Sequence, residues 1–176
     1  MLNQENYKNS SAFTRRSYRV FENKKVEEWK VKALLEAGFA TQTAKNQKSK
    51  EFVVIDDMAL IASLKEGQPY LRALDTASLV ILVTSVANPS TLPSPRFLQQ
   101  ELGAVTHQIC LMAEELELGA CWCGMHPATD REELIKSKCN IPDNVILLSL
   151  IAIGYPSEKL PANDKYEESK VHYNGW

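Results

Sequence analysis

The sequence predicts one three-layer α/β or α+β domain, and three observations carry that prediction. Segments with helical and strand periods alternate irregularly along the 176 residues, with no repeat or low-complexity tract. Residues 145–153 are an almost unbroken aliphatic run, which reads as a central strand covered on both faces. Leu98, Leu102, Val105, Ile109, Met112 and Leu116 follow one another at steps of 4, 3, 4, 3 and 4, the seam spacing of one helix packed along another.

In chain order, residues 2–13 read as a short first helix leading to Thr14-Arg15-Arg16-Ser17-Tyr18-Arg19, with Val20 and Phe21 able to anchor that segment in a core. Residues 26–39 form a clearer helix. Val31, Leu34, Leu35 and Gly38 fall on one side, and Glu28, Lys30 and Lys32 are expected outward. Residues 41–50 are a polar loop containing Thr43, Ala44, Asn46 and Lys48. Residues 51–56 read as a strand, 57–64 as a short helix and Gly67-Gln68-Pro69 as a turn. Residues 77–86 read as a second buried strand, and 88–95 as a loop whose three prolines forbid regular structure.

The longest helix spans residues 96–118, with Gly119 as its C-cap. Its apolar stripe fits the chain's own core or a helix of a second subunit, and periodicity alone does not choose. Residues 120–125 look like a short strand that His126-Pro127 breaks, and Thr129 is expected to N-cap the next helix. A polar tail, 154–176, ends on Trp176. An aromatic there is most simply explained by a tail that packs against something, such as a second subunit.

Composition narrows the function classes. With 20 Lys and Arg against 22 Asp and Glu, the net charge is −2, so no whole-protein field draws in nucleic acid. The polar start and the absence of a membrane-length apolar run predict a cytoplasmic protein. Cys110, Cys121, Cys123 and Cys139 have no zinc-site spacing, so reduced thiols are expected, with neither metal nor disulfide. Gly-rich phosphate loops and the G-x-S-x-G elbow of serine hydrolases are absent. His107 reads as a packing or interface residue, and His126 could approach a ligand. Cys121 and Cys123 lack an evident activating base. We therefore expect no side-chain acid–base catalyst; a bound cofactor would supply the chemistry.

The arginine segment is the strongest binding signal. In an extended chain, Arg15, Ser17 and Arg19 share a face, and guanidinium forks match phosphate oxygens. A solvated basic loop or a nucleic-acid patch are the competing readings of these residues alone.

Five stretches together resemble one family. Arg15-Arg16-Ser17-Tyr18-Arg19 resembles the R-R-S-x-R opening of the nitroreductase family of flavin enzymes. Residues 41–52 sit where that family has A-P-S-A-x-N-x-Q-P-W-x-F, and residues 118–127 resemble its G-L-G-x-x-W-x-G segment after the long helix. Residues 151–156 are similar to its I-A-I-G-Y-P strand end. Residues 164–166 and 171–176 resemble the D-R-F and V-H-Y-x-x-W tail of its shorter members.

The resemblance implies an α+β fold, a three-layer α/β/α sandwich with a central mixed or antiparallel sheet. It implies an FMN-binding homodimer, with the long helix in the dimer contact and the tail, about 155–176, reaching over the partner. It also implies NAD(P)H as electron donor and a nitroaromatic, quinone or similar acceptor in ping-pong turnover, with no nucleic acid or membrane partner. By position, Arg15, Ser17 and Arg19, with Arg16 adjoining, are implied at the FMN phosphate and ribityl chain. Asn46 comes from the partner subunit, in the loop of Thr43 and Lys48. Gly124 and Met125 lie at the flavin N5 edge, and Lys165 is the basic residue of the tail. Gln42, Lys48, Ser49 and Lys50 depart from the family pattern in the cleft loop. Those departures keep a flavin-binding carrier or sensor as the alternative.

Overall fold

The computed structural model describes residues 3–46, 49–86 and 95–176. Its centre is a four-stranded antiparallel sheet in the order β1-β2-β4-β3, with β1 at Lys50–Ile55, β2 at Leu79–Val86, β3 at Gly119–Gly124 and β4 at Val145–Gly154. The aliphatic run is central, as the sequence indicates, lying between β2 and β3.

Alternation of side chains sends the two faces of the sheet into two cores. Leu79, Ile81 and Val83 join Leu148, Ile151 and Ile153 under α2 (Glu28–Ala40) and α4 (Pro95–Glu115). Val80 and Leu82 join Leu147, Leu150 and Ala152 under α3 (Met58–Leu64) and α5 (Thr129–Lys138). A register shift opposite Val83 and Thr84 puts both Leu148 and Ser149 on the α4 side. Ser149 there shares a 2.8 Å hydrogen bond with Thr106 of α4. Among the described residues, no helix is long and apolar enough to cross a membrane.

Several expectations are corrected. The first helix is only a 3-10 turn, Tyr7–Asn9, followed by α1 at Ser11–Thr14. The turn at Gly67 leads into a 3-10 segment, Pro69–Asp75, that has no sequence period to betray it. Leu98, Leu102, Val105 and Ile109 of the seam are buried in this chain's own core, and Met112 and Leu116 are partly buried against it. Glu117, at φ 59°, turns the chain out of α4 while Leu118 N–H returns to Ala113 O at 2.8 Å, so Gly119 is not the C-cap. Gly119 is needed for close approach instead, because a Cβ there would lie 2.9 Å from the Tyr18 side chain. Ala128, not Thr129, is the N-cap of α5, and it offers no capping side chain.

Lys30 is the largest surprise. It is buried, donating to Leu116 O at 2.8 Å and Tyr155 Oη at 3.0 Å. The ammonium thereby satisfies a carbonyl just beyond the C-terminal end of α4, where cations are favoured. The proline loop at 88–95 falls almost wholly outside the described residues.

Candidate active site

The arginine segment runs beside the edge strand β3. Ser17 bridges Ala120 in parallel, Tyr18 N–H donates to Ala120 O at 3.1 Å, and Phe21 bridges Pro156 beyond β4. Buried Tyr18 and Phe21 pin the segment inward, and Ser17 and Arg19 are left exposed. This is the extended geometry that places residues 15, 17 and 19 on a shared side. Gly119 and Gly154 admit the two aromatic rings: a Cβ on Gly154 would meet Phe21 Cβ at 2.9 Å.

Arg15 ends α1 and is half-buried close to α4; burial, and after it the Arg15 charge, hold the His107 pKa below its ordinary value. Arg19 Nη1 folds back toward Ser17 O at 3.3 Å. Among the described residues neither Arg15 nor Arg19 has a carboxylate partner. Arg16 serves the tail by donating to Pro161 O.

The loop of the second motif is held from below by α4. Glu101 is buried; its Oε2 accepts Ala44 N–H at 3.3 Å and its Oε1 accepts the Ser49 hydroxyl at 3.0 Å. Lys50 is also buried and donates to Thr41 O; burial lowers its pKa, and Glu101 opposes that shift. Lys50 therefore stitches the loop to the first strand and does not line a cleft, a correction to the reading above. The turn Ala44–Asn46 leaves Asn46 exposed at φ 54°, and among the described residues the buried Thr43 hydroxyl has no hydrogen-bond partner. Lys48 lies outside the described residues.

At the end of β3, Gly124 is exposed, and a Cβ added there would meet no atom within 4 Å. Met125 differs: it is buried, its N–H donates to Leu148 O at 2.9 Å and its carbonyl accepts from Ala128 at 2.8 Å. Both backbone groups are spent, so only Gly124 of this pair is open to a ligand. His126 is engaged as well, its Nδ1 lying 2.9 Å from Glu132 Oε2, while Glu132 Oε1 accepts Leu147 N–H at 3.1 Å. That carboxylate fixes the β3–α5 connection, so His126 has a structural partner.

The tail begins on its own chain. Ser157 N–H donates to Val20 O at 3.3 Å, Asn163 N–H to Phe13 O at 3.1 Å, and Lys8 pairs with Asp164 at 2.8 Å. Lys165 lies in an open cleft of about 800 Å³ with Tyr7, Phe13, Asn163 and Tyr166, which Arg15, Ser17 and Arg19 do not line. Further on, Tyr173 and Trp176 are 83% and 104% exposed, although His172 and Trp176 stack at 4.4 Å.

Arg72 was not singled out by the sequence. It comes from the unanticipated 3-10 segment and stands beside β3. The Cys121 thiol is lowered to about 7 by the Cys123 hydrogen bond, with Arg19 and Arg72 contributing against burial. Cys123 is raised by the same hydrogen bond and by burial. Among the described residues, no group of three metal-ligating side chains gathers.

The nitroreductase family model matches residues 12–155. A Bacteroides thetaiotaomicron structure, provisionally named an NADH dehydrogenase/NAD(P)H nitroreductase, superposes with TM-score 0.88 at 32% identity, covering 94% of this chain and 96% of that one. A Methanothermobacter thermautotrophicus protein with the same provisional name is 29% identical over 163 residues, 93% of this chain and 84% of its own length. A provisional nitroreductase of Desulfovibrio desulfuricans, solved with FMN, shares the fold at 22% identity and TM-score 0.80, covering 93% of this chain and 94% of its own. With the arginine segment, the antiparallel sheet and the matched span in agreement, this chain belongs to the nitroreductase family.

Proposed function

We propose that this chain is an FMN-dependent NAD(P)H oxidoreductase that passes electrons, in ping-pong turnover, to a nitroaromatic, quinone or similar acceptor. The observation that carries the proposal is a pair of guanidinium groups, Arg15 and Arg19, without carboxylate partners, flanking exposed Ser17 on a segment pinned to β3. Such a pair with a hydroxyl between them suits a phosphate monoester. The names carried by the relatives support the same chemistry.

The residues present fit FMN. Arg15 and Arg19, with Ser17, would hold the phosphate and ribityl chain. The unpartnered Thr43 hydroxyl and exposed Asn46 offer polar groups on the loop that Glu101 clamps, with Lys48 in the same loop. Gly124 leaves backbone open where a Cβ would meet nothing, and Lys165 adds an exposed cation from the tail. FMN, when bound, accepts two electrons and a proton from a nicotinamide nucleotide and yields them to a second substrate. The protein's part would be to bind and orient it, with the positive charge of Arg72 beside β3 available to favour an anionic group there. No side chain in the site is assigned a proton-transfer role.

The assembly we infer is a homodimer with the cofactor at the interface and the tail end reaching over the partner. Exposed Phe39, Phe97, Trp122, Tyr173 and Trp176 support it, since a lone chain leaves them in water. The alternative of a flavin carrier without turnover leaned on residues 48–50 reshaping the cleft, and Lys50 is a buried structural residue. The test is Arg15→Ala combined with Arg19→Ala. We expect a folded protein with at least about tenfold weaker FMN binding, from the loss of two charge-assisted contacts. Unchanged FMN affinity would overturn the assignment.

A further inference from the structure

We propose that Cys121 and Cys123 form a redox-active dithiol, which a hydroperoxide oxidises to a labile disulfide within β3. Both side chains turn toward the α3 and α5 side of the sheet, whereas Ala120 and Trp122 turn toward α4. The Cys123 thiol points back along the strand and donates to Cys121 O at 3.9 Å. Cys121 is buried and Cys123 half-buried, so one sulfur of the pair is open to a small oxidant. The pair lies on the face of the sheet opposite α4 and exposed Trp122.

Backbone geometry allows the bond and makes it weak. Alternate Cα atoms of an extended strand stand about 6.6–6.8 Å apart. Disulfides span about 4.4–6.8 Å between Cα atoms, so closure needs only a modest bend at Trp122. As an edge strand, β3 pairs with β4 on one side, and among the described residues its outer edge meets only the bridge from Ser17 to Ala120. Ala120 O faces that outer edge, where it accepts Tyr18 N–H at 3.1 Å. Alternation directs the backbone groups of Trp122 to the same edge, so bending there breaks no ladder bond of Trp122 itself. A disulfide closed at the limit of its geometry is strained, and strained disulfides are the readily reduced, regulatory class.

Nearby charge favours the thiolate. Arg19 and Arg72 act on Cys121, and Arg19 and Arg131 on Cys123, with Arg131 held 4.7 Å over the Tyr70 ring. Through its hydrogen bond with Cys123, Cys121 is lowered to about 7, so the pair shares one negative charge near neutral pH. Burial pushes Cys110 up to about 12 and also raises Cys139, which leaves both unreactive. In the reaction, the Cys123 sulfur attacks the peroxide O–O bond and becomes a sulfenic acid, releasing water or the corresponding alcohol. The Cys121 sulfur then displaces water from the sulfenic acid and the S–S bond forms. Two thiols give up two electrons and two protons, and the peroxide oxygens leave fully reduced.

The test treats the purified native protein with a small excess of hydrogen peroxide, removes the excess with catalase, and then counts thiols in denaturant and measures the intact mass. We expect two of the four thiols to be lost and the single chain to become lighter by two hydrogens, with excess glutathione restoring both readings. Cys110→Ser and Cys139→Ser should behave like the native protein, and Cys123→Ser should show no such mass loss. Cys123 is the position changed because it is half-buried, whereas Cys121 sits in the core. A native protein that keeps all four thiols, or gains oxygen atoms in place of losing hydrogens, would overturn the proposal. So would a mass loss that persists in Cys123→Ser, that disappears with Cys110 or Cys139, or that glutathione does not reverse. None of these readings depends on bound flavin.

Discussion

Replacing Glu101 tests whether the loop that carries Thr43 and Asn46 is held from the long helix. The carboxylate is buried, accepts Ala44 N–H at 3.3 Å and the Ser49 hydroxyl at 3.0 Å, and offsets the charge of buried Lys50. Glu101→Ala strands both donors and leaves the lysine ammonium less compensated. Each orphaned donor costs about 1–3 kcal/mol, and buried Lys50 also loses a nearby opposite charge. These costs overlap, so a total of about 3–5 kcal/mol is the expected loss. Glu101→Gln keeps an acceptor but drops the charge, and about 1–2 kcal/mol is expected for it. Urea unfolding with constant slope measures the loss, and limited proteolysis within residues 41–50 reports whether it is local. FMN affinity should fall alongside. An alanine variant within 0.5 kcal/mol of the native protein, about the spread of ordinary surface changes, would refute the clamp.

Gly154→Ala and Gly119→Ala should each cost about 1–3 kcal/mol, because the new Cβ would sit 2.9 Å from Phe21 or Tyr18 and overpack the seam beneath the arginine segment; thermal unfolding checks this. His107 has a folded pKa below its ordinary 6.5, so the unfolded chain takes up its proton first as pH falls. Its contribution to stability is complete above the ordinary value and is lost as pH falls through the folded one; His107→Gln should flatten that part of the stability profile. Arg15→Ala should move the His107 titration upward by NMR, and an unmoved titration would contradict their proximity. Tyr155→Phe removes one of the two hydrogen-bond partners of buried Lys30, and a loss of about 1 kcal/mol or more is expected in chemical unfolding.

Strands and long helices were legible because burial imposes a period on the sequence. The aliphatic run of β4 and the apolar stripe of α4 needed only that rule. Charge suggests exposure for Lys30 and Lys50, whereas both are buried on the backbone carbonyls of Leu116 and Thr41, which no sequence pattern marks. The same blindness hid the 3-10 segment Pro69–Asp75, where i to i+3 bonding leaves no amphipathic period, and with it Tyr70 and Arg72. Residue type alone makes Gly119 a helix end, while the structure uses its missing Cβ to admit Tyr18. Of the candidate site, Arg15, Ser17 and Arg19 followed from alternation in an extended chain. Met125 fell away because β-ladder and turn hydrogen bonds, a tertiary property, consume its backbone.

The most direct measurement is the visible absorption spectrum of the purified protein, supplemented with FMN and titrated anaerobically with NADPH and then, in a separate sample, NADH. A bound-flavin spectrum should appear and bleach with a nicotinamide nucleotide, and the Arg15→Ala, Arg19→Ala protein should fail to develop it. A protein that binds no flavin, or whose flavin stays oxidised with both nucleotides, would contradict it.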